Sequence, residues 1–168
     1  MIRYGAYAVL VAAGLVLETT WLTHVKIAGA APDPVLVVVM VVGLFHGSEE
    51  GAIFGAGVGL LQDVVTGVPL GLGMLAGLCV GFAAGLGERV IYMENIWLPA
   101  LAAVVLSAIR MAVWTGAAHL VGLLQAPVLD VIRVAAAAAC YNGVIAVPIF
   151  HGLHHLDGIL GPRHEESR

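Results

Sequence analysis

A chain of 168 residues that is 61% hydrophobic, only 11% charged and has a mean hydropathy of +1.01 carries too little polar surface to coat a water-soluble globule. Its formal charge of −4 is small and dispersed, which excludes a nucleic-acid-binding surface built on basic runs. What remains is an integral membrane protein, expected as one transmembrane domain over residues 1–168.

Taken in chain order, the first apolar segment covers residues 4–22 and closes on Thr19, Thr20 and Trp21, side chains suited to the membrane interface. Arg3 followed by an apolar run looks like a signal peptide. However, Ala28-Gly29-Ala30 lies too far past the run for cleavage, so the segment is read as a helix. After Lys26, the fixed φ of the prolines in Pro32-Asp33-Pro34 suits the start of a helix. The second segment, residues 35–45, is valine-rich. In lipid a helix or a closed barrel are the choices, and the helix is taken.

A polar turn, His46-Gly47-Ser48-Glu49-Glu50, leads to the third segment, residues 51–65. The fourth covers residues 70–86, and a short amphipathic connection at 90–95 leads to the fifth at 96–118. The sixth covers 128–150, followed by a histidine-rich tail. The expected fold is an all-α bundle of six transmembrane helices, or five if the short pair at 35–65 is one. Both members of that pair fall below the ~20 residues a full crossing needs. An even count puts both termini on one side, and the positive-inside rule places them in the cytoplasm. Arg3, Arg89, Arg163 and Arg168 then face inward against Lys26 outside.

Two glycine stripes mark the middle of the chain: Gly51, Gly55 and Gly59, then Gly73, Gly77, Gly81 and Gly85. Four-residue spacing returns to nearly the same helix face and leaves a flat groove where another backbone can approach. The stripes either dock helices inside the bundle or hold a partner's helix. Between them runs a polar break from Gln62 to Gly71, in which Asp63 can accept from exposed amides of the turn that Gly67 and Pro69 shape.

Glu18, Asp63, Arg110, Asp130, Arg133 and Asn142 lie in or beside apolar segments, where ionisable groups face the bundle and seek partners. Arg110 is expected to pair with Glu18 or Asp63. Asp130 and Arg133, three apart, are expected to pair with each other within one buried cluster in the outer half of the bilayer. That cluster reads as a register-fixing ion pair or as a ligand pocket or proton path. His151 and His155 have helical i, i+4 spacing, but no cysteine or glutamate completes a metal motif, so no metal or other cofactor is expected. Cys79 and Cys140 sit in apolar segments and read as packing residues. There is no H-E-x-x-H, no G-x-S-x-G and no phosphate-binding loop, so catalysis is not expected.

The break carries a resemblance. Gly59-x-x-x-Asp63-x-x-x-Gly67-x-Pro69-Leu70-Gly71, the Pro32-Asp33-Pro34 helix start, the approach to the fifth helix through Asn95 and Trp97, and Asn142-Gly143 followed by Pro148 together resemble the MreD family of bacterial rod shape-determining membrane proteins. Thr66 stands where a serine is common in the family. The resemblance implies a non-enzymatic scaffold of the cell-elongation machinery in the cytoplasmic (inner) membrane. It would support lateral peptidoglycan synthesis through a single-span MreC-like partner, and act indirectly with RodA, its transpeptidase and MreB. It also implies a fold similar to the six-helix substrate-binding subunits of energy-coupling-factor transporters. From that comes the alternative function, a vitamin-type binding subunit for uptake, with Trp21, Trp114, His119 and Arg110 as its few pocket candidates.

Overall fold

The structure is a computed structural model that describes residues 2–22, 30–88, 97–124 and 127–160, and among them every regular element is helical. α1 (Ile2–Leu17) runs into a π turn over Glu18–Leu22, and α2 (Pro34–Thr66), α3 (Leu72–Leu86), α4 (Trp97–Leu120) and α5 (Val128–Leu160) follow. Three stretches, Pro34–Thr66, Trp97–Leu120 and Leu129–Leu153, are long and apolar enough to cross a membrane; Tyr7–Thr20 and Leu72–Leu86 are shorter apolar helices.

α2 starts where the sequence places it. Asp33 is its N-cap, with Oδ1 accepting from the Leu36 amide at 2.8 Å, and Pro34 follows in the first turn. The helix then breaks at Gly47, whose φ of 86° and ψ of 178° are not helical and suit a residue without Cβ. Beyond the break the chain comes back on itself. A Cβ at Gly51 would stand 2.7 Å from Gly43 Cα, and one at Gly55 3.0 Å from Val39 Cγ1. Residues eight apart in a straight helix are about 12 Å apart. Residues 34–46 and 48–66 are therefore two antiparallel arms of a hairpin. The polar turn expected over 46–50 narrows to Gly47, since Ser48, Glu49 and Glu50 already belong to the second arm.

The first arm is the core. Every residue from Val35 to Leu44 is buried, which is how a helix apolar on all sides must be placed. Around it pack Tyr7 and Val11 of α1, Val58 of the second arm, Val80 and Ala84 of α3, Ala103 and Leu106 of α4, and Ala146 and Phe150 of α5. Valine suits such a position because its stiff χ1 loses little rotamer freedom on burial. The outward faces are apolar as well: Ile53, Leu86, Trp97 and Val144 are all more than 60% exposed, the surface lipid would cover.

Several boundaries differ from the sequence reading by up to three residues, and the end of α5 by ten. α3 begins at Leu72, after Gly71 takes a φ of 111°. α5 continues ten residues past the expected end at 150, carrying Pro148 within it. A proline costs an intrahelical hydrogen bond, but a helix in a bundle tolerates one where neighbours hold its walls, and Phe150 and Leu153 beyond it are buried in the core. Lys26, Arg89, Asn95, Arg163 and Arg168 lie outside the described residues, as do the side chains of Arg3, Trp21, His154 and His155.

Candidate functional site

The second arm of α2 and α3 meet backbone to backbone. Gly59 faces Gly73, Gly55 faces Gly77, Gly51 faces Gly81, and Gly85 faces the peptide joining Gly47 to Ser48, so four residues forward on one helix is four back on the other. A Cβ at Gly51, Gly55, Gly59, Gly73, Gly77, Gly81 or Gly85 would come inside 3.0 Å of the opposing backbone. The two stripes are thus filled by each other, and the flat groove they promised is not left open to a partner's helix. In lipid such close approach supplies dispersion contacts where water exclusion cannot.

Each residue of the central motif has its own physical reason at the end of this interface. Gly59 permits the contact with Gly73. Asp63, 1% exposed, closes it like a clasp: its carboxylate accepts from the amides of Gly71 at 2.9 Å, Gly73 at 2.8 Å and Met74 at 3.3 Å, the unpaired donors at the start of α3. Gly67 is the left-handed C-cap of α2 (φ 71°), its amide donating to Asp63 O at 3.0 Å, and Gly71 also has positive φ. Pro69 is exposed in the three-residue link between the caps. Thr66 returns its hydroxyl to Gln62 O at 2.6 Å.

The second assembly centres on Arg110 of α4, and here the expected pairing is corrected. Arg110 pairs neither with Asp63, whose acceptors are spent on α3, nor directly with Glu18. Its Nε meets Asp33 Oδ2 at 3.1 Å, and its Nη2 donates to Gln62 Oε1 at 2.8 Å. Gln62 Nε2 in turn donates to Glu18 Oε2 at 3.0 Å. Asn142 of α5, 2% exposed, accepts from the Asp33 amide at 2.8 Å and donates to Ser107 Oγ at 2.8 Å. Next to it, a Cβ on Gly143 would press to 3.0 Å from Val104 Cγ2, so Asn142-Gly143 fixes α5 closely on α4. This network ties together the end of α1, both arms of α2, α4 and α5. Among the described residues every buried side-chain nitrogen and oxygen has a partner.

Asp130 and Arg133 do not join the cluster. They pair locally at 3.6 Å with side chains 59% and 69% exposed near the start of α5. His119 shares its Nδ1 with Leu124 O at the end of α4, and His151 Nδ1 meets Val147 O at 2.9 Å. Among the described residues no three His, Cys, Asp or Glu side chains gather as a metal site, and Cys79 and Cys140 are free thiols. Ser107 is engaged by an amide and not by a base, so the network holds no activated nucleophile.

Against the network lies a cavity of about 260 Å³, lined by Glu18, Asp33, Ser107, Arg110, Trp114 and Asn142 together with apolar side chains. Two larger grooves are lined almost wholly by apolar side chains: one between α3 and α4, and one between α1 and the second arm.

A family model described as rod shape-determining protein MreD matches residues 2–155, a span that holds the glycine interface, the Asp63 clasp and the Arg110 network. The chain belongs to the MreD family. Membership ties it to the membrane machinery that determines rod shape. No curated protein and no solved structure matches the chain, so the expected likeness to energy-coupling-factor subunits finds no counterpart there.

Three members of the network, Gln62, Asp33 and Ser107, are not among the polar residues the sequence singles out. Gln62 carried a signal, an amide beside Asp63 in an otherwise apolar helix. In the sequence Asp33 is only part of a helix start; that a capping carboxylate has a second oxygen left for an arginine is not visible in one dimension.

Proposed function

We propose that this MreD-family protein is a non-enzymatic scaffold subunit of the bacterial cell-elongation complex. In this reading it sits in the cytoplasmic membrane as one domain of six crossings with both termini in the cytoplasm. There it holds a single-span MreC-like protein and, through it, works with RodA, its transpeptidase and MreB. The observation that supports the reading best is the family match across the Asp63 motif, whose Gly59, Asp63, Gly67 and Gly71 form the joint between two helices. Six crossings require the α2 hairpin to cross twice. Its 13-residue first arm would span only about 20 Å of an about 30 Å core. Complete burial of that arm fits, because a helix sheltered by neighbours does not need to match the bilayer itself.

The partner's helix is assigned to the outer, lipid-facing surface, because the glycine stripes are consumed inside. A rod-shaped bacterium depleted of its own MreD-family protein provides the test. Expression of this chain restores rod shape, and a variant that opens the clasp, Asp63→Ala, does not. Rounded cells despite membrane-inserted, stable wild-type protein would defeat the proposal.

A further inference from the structure

We propose that the cavity beside Arg110 is a binding site for a primary ammonium group carried on a small polar molecule or lipid headgroup. The cavity is bounded by residues from α1's end, the start of α2, α4 and α5, so it is a product of the whole bundle. Among the described residues its two carboxylates, Glu18 and Asp33, face one guanidinium, Arg110, so one negative charge is left over when both carboxylates are ionised.

The polar valences show where that charge lies. Asp33 spends Oδ1 on the Leu36 amide and Oδ2 on Arg110, and Asn142 is used on both sides of its amide. Glu18 receives one hydrogen bond, from Gln62 to Oε2, whereas an ionised carboxylate can accept about four. A carboxylate inside a bundle is costly unless a cation or several donors meet it. The cation among the described lining residues, Arg110, is already paired with Asp33. An anion would meet net negative charge. A multivalent metal finds only two carboxylates, since no three His, Cys, Asp or Glu side chains gather among the described residues. An ammonium fits on each count: three donors for Glu18 and its neighbours, and the Trp114 indole to receive its charge or its adjoining methylenes. At about 260 Å³ the cavity is below the ~300–1,000 Å³ of drug-sized sites, which suits a short amine or a headgroup and not a vitamin.

The full-length protein in detergent micelles is titrated with ethanolamine, with short-chain phosphatidylethanolamine, and with ethylene glycol and short-chain phosphatidylglycerol as neutral and anionic controls. Thermal unfolding is the readout. A saturable rise in Tm is expected with an ammonium probe and not with the controls. A rise with ethanolamine alone assigns a free amine, and a rise confined to the phospholipid assigns the headgroup. Glu18→Gln keeps an acceptor for Gln62 but loses the charge, and weakens the apparent affinity at least about tenfold. Trp114→Leu, which leaves every hydrogen bond of the network in place, weakens it about threefold. The proposal is overturned by no saturable rise with either ammonium probe, by an equal rise with phosphatidylglycerol, or by unchanged affinity in both variants.

Discussion

Replacing Asp63 separates the two jobs its carboxylate performs, and the structure gives the size of each. Three amide donors, those of Gly71, Gly73 and Met74, converge on two oxygens with 1% of the residue exposed. Hydrogen bonds to a charged acceptor are worth about 1.5–3 kcal/mol each, and a buried donor left unpaired costs about 1–3 kcal/mol. The Gly73 amide is buried and counts in full. The Gly71 and Met74 amides are partly accessible, and Met74 is the longest contact at 3.3 Å, so they count about half. Asp63→Ala should therefore cost about 3–6 kcal/mol. Asp63→Asn keeps one acceptor but sets an NH2 among donors, and should cost about 1–3 kcal/mol. The attraction between the carboxylate and the positive end of α3 adds up to about 1 kcal/mol to both. Equilibrium unfolding in mixed detergent micelles, followed by circular dichroism, gives both values. An alanine variant within about 0.5 kcal/mol of wild type, or an asparagine variant no better than alanine, would refute the clasp.

The glycines should divide sharply by neighbour. Gly55→Ala or Gly81→Ala forces a methyl onto opposing backbone and should cost about 3 kcal/mol or more, while Gly57→Ala and Gly116→Ala, which meet nothing within 4 Å, should be neutral or stabilising in the same unfolding assay. Arg110→Met strands Asp33 and should lower stability by about 3 kcal/mol; in a cycle with Asp33→Asn the double variant should recover about 1–3 kcal/mol of the summed losses. Asp130→Asn, on the exposed pair of α5, should change stability by less than about 0.5 kcal/mol.

How much of this was legible beforehand depends on whether a feature is local. The break at Gly47, the start of α2 and the turn at Gly67–Gly71 follow from short-range rules, since proline, glycine and charged residues punctuate a chain through their own backbones. The register of Gly51–Gly59 against Gly73–Gly85 was half legible: the spacing shows that a face is flat, and the sharp turn between the stripes leaves each as the other's nearest candidate. Arg110 was the failure. Charge alone offered Glu18 and Asp63, yet Asp63 was already engaged by amides that a side-chain inventory does not count, and the true partner, Asp33, was hidden in the role of a cap. Asp130 and Arg133 were misplaced for a related reason, because apolar neighbours in sequence do not say which face of α5 is covered.

Glycine packing and the Asp63 clasp close the interior of this protein, so a partner helix is expected on its outer face. A cysteine-crosslinking scan in membranes measures this directly, with Cys79 and Cys140 first replaced by alanine and an MreC-like partner carrying cysteines along its single span. Probes would include outward positions such as Ile53, Phe82, Leu101 and Val144 and inward ones such as Val38, Ala76 and Ala103. Crosslinks are expected along one stripe of outward positions and at none of the inward ones. Crosslinks that follow the inward positions, or none at any outward position while the partner is present, would contradict that expectation.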